Sequence, residues 1–161
     1  METFNWKVYI ANYEDLRLAG ITTKQQALKH YMSFGKNENR TDKNTTELCL
    51  LAHKYYVDKC PFYNHTYTPK YHNLLNSLRK NIKKVLEIGI GNIPLMKVYT
   101  DEKYKPGGSL RMWSDYFINA HIYGCDILED VLFNEERITT ILLDQSNKDS
   151  LNKTFSRISH P

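Results

Sequence analysis

Aromatic and aliphatic residues recur at helical spacing from residue 4 to about residue 40. Trp6, Tyr9, Ile10, Tyr13 and Leu16 share one face of a helix, which Ala19-Gly20 stops. Thr23 followed by Gln26 has the spacing of a capping box and starts a second helix, whose apolar face is Ala27, Leu28, Tyr31 and Phe34. Gly35 then stands where a left-handed C-cap glycine belongs. The pattern predicts a small helical hairpin module over residues 1–40. Two short helices bury little area alone, so the hairpin is expected to pack on a neighbour.

A second domain is expected over residues 41–161. It opens with a polar run from Thr41 to Thr46, and Thr46 has the chemistry of an N-cap for a helix with Leu48, Leu51, Ala52 and Tyr55 in period. The Cys60-Pro61 step ends that period, because a residue before proline is pushed out of the helical region. A further helix is expected from about Pro69, laying Tyr71, Leu74, Leu75 and Leu78 on a sheet. The stretch Lys84 to Asn92 reads as a strand buried on both faces, since Val85, Leu86, Ile88 and Ile90 form a nearly continuous aliphatic run rather than alternating. An irregular segment to Gly108 precedes a helix at Ser109 to Phe117, closed at Asn119-Ala120. Further strands are expected at His121 to Ile127 and Ile138 to Asp144, and a last helix at Lys148 to Ile158. Strand, helix, strand, short crossover, strand and helix describe an α/β fold. The expected architecture is a partial, Rossmann-like parallel sheet of about three strands, preceded by the helical hairpin.

Composition narrows the class. The 161 residues are 41% hydrophobic and 25% charged, with mean hydropathy −0.58, which suits a globular chain. No apolar run reaches bilayer length, and the N-terminus has neither the basic nor the apolar region of a signal peptide, so no membrane is expected and a cytoplasmic protein is. Cys49, Cys60 and Cys125 are odd in number and lack C-x-x-C spacing, which predicts reduced thiols rather than disulfides or a zinc site. The formal charge of +4 is mild, with cations scattered among acids, and no nucleic-acid partner is expected. The twelve tyrosines offer both packing area and hydroxyl contacts of the kind carbohydrate or nucleobase surfaces use, with packing the default role.

The candidate chemistry lies at the strand ends. Parallel strands present their carboxyl ends to one edge of the sheet, where open α/β folds bind ligands. Gly89 and Gly91 let the backbone turn and approach a ligand. Asp126 can accept two ribose hydroxyls, and Asp144 with Gln145 and Ser146 can meet an adenine edge. A dinucleotide fingerprint asks for a third glycine three positions after the second; Pro94 stands there, so NAD and FAD are not expected. Glu87 fits a cationic ligand better than a pyrophosphate. The histidines lack metal-ligand spacing, no metal-ligating residue is expected in this sequence, and His160 reads as an exposed chain end.

Two resemblances add to this reading. Phe4-x-Trp6, Tyr9, Tyr13-x-Asp15-Leu16, Gly20-Ile21, Ala27, His30-Tyr31, Gly35, Glu38 and Arg40 resemble a short module found in glycosyltransferases and related glycan-processing proteins. Glu87-Ile88-Gly89-Ile90-Gly91, Gly107-Gly108-Ser109-Leu110-x-Met112-Trp113-x-Asp115-Tyr116-Phe117, Tyr123-Gly124-x-Asp126-Ile127 and Asp144-Gln145-Ser146 resemble the class I S-adenosylmethionine-dependent methyltransferases, most closely the branch of macrolide-sugar O-methyltransferases. Thr41-Asp42-Lys43 and His65-x-Tyr67-x-x-x-Tyr71 resemble that branch's lead-in. The resemblance implies S-adenosylmethionine as cofactor and methyl transfer to a sugar or glycan hydroxyl. Glu87, Gly89 and Gly91 would line its methionine part, Asp126 its ribose, and Asp144, Gln145 and Ser146 its adenine, with Thr41, His65 and Tyr67 closing over it. In that family the acceptor's base or metal comes from the fourth strand end onward, so no catalytic residue is assigned within this sequence.

A parallel sheet of three strands leaves an apolar edge, which predicts a homo-oligomer or a partner chain covering it. The competing expectation is a non-catalytic binding or assembly module built on the same partial fold. A third, nucleotide-sugar binding within a glycosyltransferase, rests on the N-terminal hairpin alone.

Overall fold

The computed structural model describes residues 4–38, 40–43, 45–60, 62–63, 65, 67–98, 100 and 103–159. The expectations for Pro61 and His160 lie outside the described residues. The chain forms two compact units, Met1–Thr45 and Thr46–Pro161.

In the first unit, helices α1 (Trp6–Asn12), α2 (Glu14–Leu18) and α3 (Lys24–His30) gather around Tyr9, Leu16 and Ala27, all buried. The single helix expected through Leu16 is two, because Tyr13 adopts extended geometry (φ −129°, ψ 112°). Tyr13 is held there from outside the helix: its hydroxyl accepts the Thr41 N–H at 2.8 Å and the Arg40 guanidinium lies 4.7 Å from its ring centroid. Gly20 (φ +71°) ends α2, with the Gly20 N–H on the Arg17 carbonyl and the Ile21 N–H on that of Leu16, a Schellman closure. The Thr23–Gln26 capping box forms as expected.

Gly35 departs from expectation. It lies inside a π-turn, Tyr31–Gly35, without a positive φ, and a Cβ there would overlap the Tyr9 hydroxyl. Close packing, not a left-handed cap, accounts for the glycine. His30 is a packing histidine, its Nδ1 2.9 Å from the Tyr9 hydroxyl.

The first unit extends past residue 40 because Asn12 reaches the carbonyls of Thr41 (3.2 Å) and Lys43 (3.1 Å) and the Thr45 hydroxyl (2.9 Å).

The second unit is a sheet between helices. Strands β1 (Lys84–Ile88), β2 (His121–Asp126), β3 (Asn134–Glu135) and β4 (Ile138–Leu142) stand in the order β1-β2-β4-β3. β1, β2 and β4 are parallel, with Glu87 opposite Gly124 and Cys125 opposite Ile141, and β3 is a short antiparallel edge on β4. The expected three parallel strands are present; the hairpin strand is an addition the sequence pattern did not mark.

On one face α4 (Glu47–Lys54) and α7 (Gly108–Tyr116) bring Leu48, Ala52, Leu110, Trp113 and Tyr116 against Ile122 and Ile138. On the other, α8 (Lys148–Ser159) places Leu151 and Ile158 against Cys125, Ile141 and Leu143. Thr46 caps α4, its hydroxyl accepting the Cys49 N–H. All three cysteines are buried and free.

Two expectations of burial fail. Helix α5 (Tyr67–Leu75) begins before Pro69 and ends before Leu78; Tyr71 and Leu74 on it and Leu78 in the turn after it are exposed, Leu74 at 70%. Leu75 packs on the core as expected, but its inward companions are Thr68 and His72, with His72 Nδ1 3.1 Å from the Tyr116 hydroxyl. β1 is not buried on both faces: Ile88 is 43% exposed, because no described strand pairs with the outer edge of β1. The segment after Gly91 also contains a short helix, α6 (Ile93–Met96), capped by Asn92 with Pro94 in its first turn.

Candidate functional site

The loop after β1 is fixed at both of its polar groups. Gly89 donates to the Cys125 carbonyl at 2.8 Å and so extends the ladder by one residue beyond β1. Gly89 then takes φ +95° and Gly91 φ +83°. Between them, the Ile90 N–H donates to Asp126 Oδ2 at 2.7 Å and the Ile90 carbonyl accepts the Tyr104 hydroxyl at 3.2 Å. The Ile90 side chain is buried, which locks the loop to the core.

Gly89 is the meeting point of three cavities over this sheet edge. One of about 310 Å³ runs from Ile88 and Gly89 to Asp126, Asp144, Gln145 and Ser146. A second, about 590 Å³, lies on the opposite side, along β1, lined by Lys59, Glu87, Gly89, Trp113 and Phe117 among others. A small third one of about 40 Å³ lies between Lys59, Gly89, Gly91, Tyr104 and Ser109. A Cβ on Gly89 would meet no protein atom within 4 Å, so a side chain there would project into open cleft.

Most of the residues singled out in the sequence gather here. Asp126 lines the 310 Å³ cavity while Oδ1 accepts the Leu128 N–H at 3.1 Å. Two acceptor positions of its carboxylate are thereby used, which leaves capacity for further donors. Asp144 Oδ1 accepts the N–H of Ser146 at 2.9 Å and its hydroxyl at 2.6 Å, and these bonds hold the Asp144 carboxyl below its ordinary pKa. The Ser146 hydroxyl proton is committed to that turn, while the Gln145 side chain is exposed at the cavity rim.

Glu87 faces the other side. Its Oε1 accepts the Ser109 hydroxyl and its Oε2 the Trp113 indole N–H at 2.5 Å. The motif residues of α7 thus clamp the carboxylate of β1, an arrangement allowed by the close seating of Gly108, where a Cβ would stand 2.6 Å from the Tyr55 carbonyl oxygen. Burial raises the Glu87 pKa, against the opposing pull of Ser109, Lys59 and Trp113.

His65 lies in the segment leading into α5 and Tyr67 is the first residue of that helix. Their rings stack at 5.0 Å, His65 Nε2 is 3.5 Å from Asp58 Oδ2, and Tyr67 is 45% exposed. Neither lines the three cavities. Thr41 belongs to the first unit, where its N–H, carbonyl and hydroxyl are engaged by Tyr13, Asn12 and Lys43.

Sequence reasoning missed Lys59, which lines two of the three cavities. A lone Asp-Lys pair carries no periodic signal. Among the described residues, no group of three His, Cys, Asp or Glu side chains could hold a metal ion, and no helix is long and apolar enough to cross a membrane.

No protein-family model matches the chain. Among curated proteins it is 35% identical over 111 residues to Mycinamicin VI 2''-O-methyltransferase of Micromonospora griseorubida, covering 69% of this chain and 26% of that protein. It is 38% identical over 93 residues to Demethylmacrocin O-methyltransferase of Streptomyces fradiae, covering 58% of this chain and 22% of that protein. A similar match, 38% over 87 residues, is to 8-demethyl-8-alpha-L-rhamnosyl tetracenomycin-C 2'-O-methyltransferase of Streptomyces olivaceus, covering 54% of this chain and 21% of that protein. The chain therefore spans about a quarter or less of the length of these relatives. Among solved structures it resembles the MycE methyltransferase of the mycinamycin biosynthetic pathway, in complex with Mg, SAH and mycinamycin VI, with a TM-score of 0.57 and 28% identity over 85% of this chain and 37% of that one. The homologues of this chain are thus the macrolide-sugar O-methyltransferases, class I S-adenosylmethionine-dependent enzymes, and its α/β unit has the partial Rossmann-like architecture of that family.

Proposed function

We propose that residues 46–161 form the cofactor-binding part of an S-adenosylmethionine-dependent O-methyltransferase acting on a sugar or glycan hydroxyl. The observation that carries this reading is the convergence of three cavities on Gly89, with Asp126, Asp144 and Gln145 on one side and Glu87 and Lys59 on the other. A nucleoside with a charged amino-acid tail asks for those two kinds of surroundings at opposite ends. The residues fit the cofactor: Asp126 for ribose hydroxyls, Gln145 and Asp144 for the adenine edge, bare backbone at Gly89 for the sulfur, and Glu87 for the ammonium. Bound there, S-adenosylmethionine supplies an electrophilic methyl group for in-line transfer to oxygen. The chain's own contribution is alignment and exclusion of water. No catalytic base or metal ligand is assigned to a described residue.

The sugar acceptor is supported by the activities for which the relatives are named, and these favour the enzyme over a non-catalytic assembly module. The same reading includes a cytoplasmic location, supported by three buried free cysteines, and a homo-oligomer or partner chain over the outer edge of β1. Residues 1–40 are read as a module of glycan-processing proteins.

Calorimetric titration with S-adenosylhomocysteine tests the cofactor half: binding by the chain that Asp126→Ala abolishes supports it, and no binding by the folded chain overturns it. Incubation with methyl-labelled S-adenosylmethionine and a set of macrolide and aromatic glycosides tests the acceptor half. Label on a sugar hydroxyl supports it. Label only on a non-sugar acceptor overturns it.

A further inference from the structure

We infer that Lys59 recognises the α-carboxylate at the tail end of the ligand and thereby sets the site's preference for an intact amino-acid tail; the inference rests on the cofactor reading above. On the side of Gly89 away from Asp126 and Asp144, the lining residues that the two cavities share, among the described residues, are Lys59 and Gly89. An elongated ligand crossing Gly89 from the Asp126 side therefore enters beside Lys59. The other cation lining that side, Lys84, is committed: its Nζ donates to the Ile158 carbonyl at 2.8 Å. Among the described residues, no Lys or Arg lines the Asp126 cavity.

The backbone of Lys59 is fixed for the task. Its carbonyl accepts the N–H groups of Tyr67 (3.1 Å) and Thr68 (3.0 Å) at the start of α5. Its ammonium is not. The pair with Asp58 spans 3.5 Å, longer than a good charge-assisted hydrogen bond, and the Lys59 side chain is 35% exposed. Asp58 is also drawn toward His65 Nε2, at 3.5 Å. The neighbouring acid, Glu87, already receives Ser109 and Trp113. A cation at a cavity junction with a long, shared ion pair has donors to offer an incoming carboxylate. Glu87, on the same wall, meets the adjacent ammonium. Such a pair of opposite charges matches an α-amino acid and would not match a phosphate.

The test compares two probes by calorimetry: S-adenosylhomocysteine, which carries the amino-acid tail, and 5'-methylthioadenosine, which lacks it. Lys59→Gln is expected to weaken the first roughly ten- to a hundredfold, the loss of one charged hydrogen bond, and to leave the second within roughly twofold. Lys59→Arg is expected to keep most of the preference. Equal binding of S-adenosylhomocysteine by Lys59→Gln and wild type overturns the role of Lys59 and leaves the cofactor reading standing. Equal weakening of both probes also overturns it, since that outcome marks Lys59 as structural. Failure of the wild type to bind either probe overturns the cofactor reading and this inference with it.

Discussion

Asp126 Oδ2 accepts the N–H of Ile90 at 2.7 Å, so the carboxylate ending β2 shapes the glycine loop that ends β1. The residue expected to hold ribose also builds the floor of the site. Asp126→Ala leaves a buried N–H without its acceptor, which costs about 1–3 kcal/mol. Urea unfolding is expected to register that loss, and amide exchange at Ile90 to accelerate more than exchange in β4. Unchanged Ile90 exchange would show that the bond does not hold the loop.

Gly89 and Gly124 are expected to respond differently to alanine. At Gly89 the strain is conformational only, about 1–2 kcal/mol from the positive φ, while the new methyl group enters the cleft. Cofactor affinity should fall far more than stability. At Gly124 a Cβ would overlap the Leu110 side chain, so about 1–3 kcal/mol of stability is lost with no selective effect on binding. Thermal unfolding alongside calorimetry separates the two.

Glu87 makes stability depend on pH. Its pKa is raised above the ordinary 4.5, chiefly by burial, so the folded state holds this proton more tightly than the unfolded one. The resulting stabilisation is fully present below pH 4.5 and is lost as pH rises through the folded-state value. Glu87→Gln keeps both partners, since its carbonyl can accept from Trp113 and its amide can donate to Ser109. Denaturant unfolding across that interval should show a flatter pH dependence in the variant. An unchanged slope would assign the dependence to other groups.

In the first unit, Gly35→Ala drives a methyl group into the Tyr9 hydroxyl and is expected to cost about 1–3 kcal/mol. Tyr9→Phe removes the overlapping oxygen, together with its bond to His30. The double variant should therefore be more stable than the sum of the single effects predicts, a coupling read from a double-mutant cycle. Strict additivity would contradict the close packing at Gly35.

Where a signal is local, the sequence carried it plainly. Thr23 with Gln26 and Thr46 before α4 act over a few residues, and their caps form as the spacing implies. The glycine loop and Asp126 were legible because strand ends in a parallel sheet share an edge, whatever the remaining packing. Signals that depend on distant partners were not. Gly35 reads as a cap until Tyr9 is seen against it. Along α5 and the turn after it, the spacing of Tyr71, Leu74, Leu75 and Leu78 suggests an inward face, but Thr68 and His72 have equivalent spacing with Leu75, and Leu75 alone of the expected four packs on the core. The Tyr116 hydroxyl meeting His72 lies on another helix. Lys59 has no pattern of its own; its significance comes from where the start of α5 pins its carbonyl. The aliphatic run of β1 encodes burial on both faces, whereas Ile88 stands exposed at an edge with which no described strand pairs. That mismatch is the physical basis for expecting a partner there.

The most direct test of the central claim is a crystal structure of the chain grown with S-adenosylhomocysteine. The account predicts one ligand across Gly89, its ribose hydroxyls on Asp126, its adenine beside Asp144 and Gln145, and its amino-acid tail between Glu87 and Lys59. A ligand bound elsewhere, or lying over Gly89 with its tail toward Asp144, would contradict it.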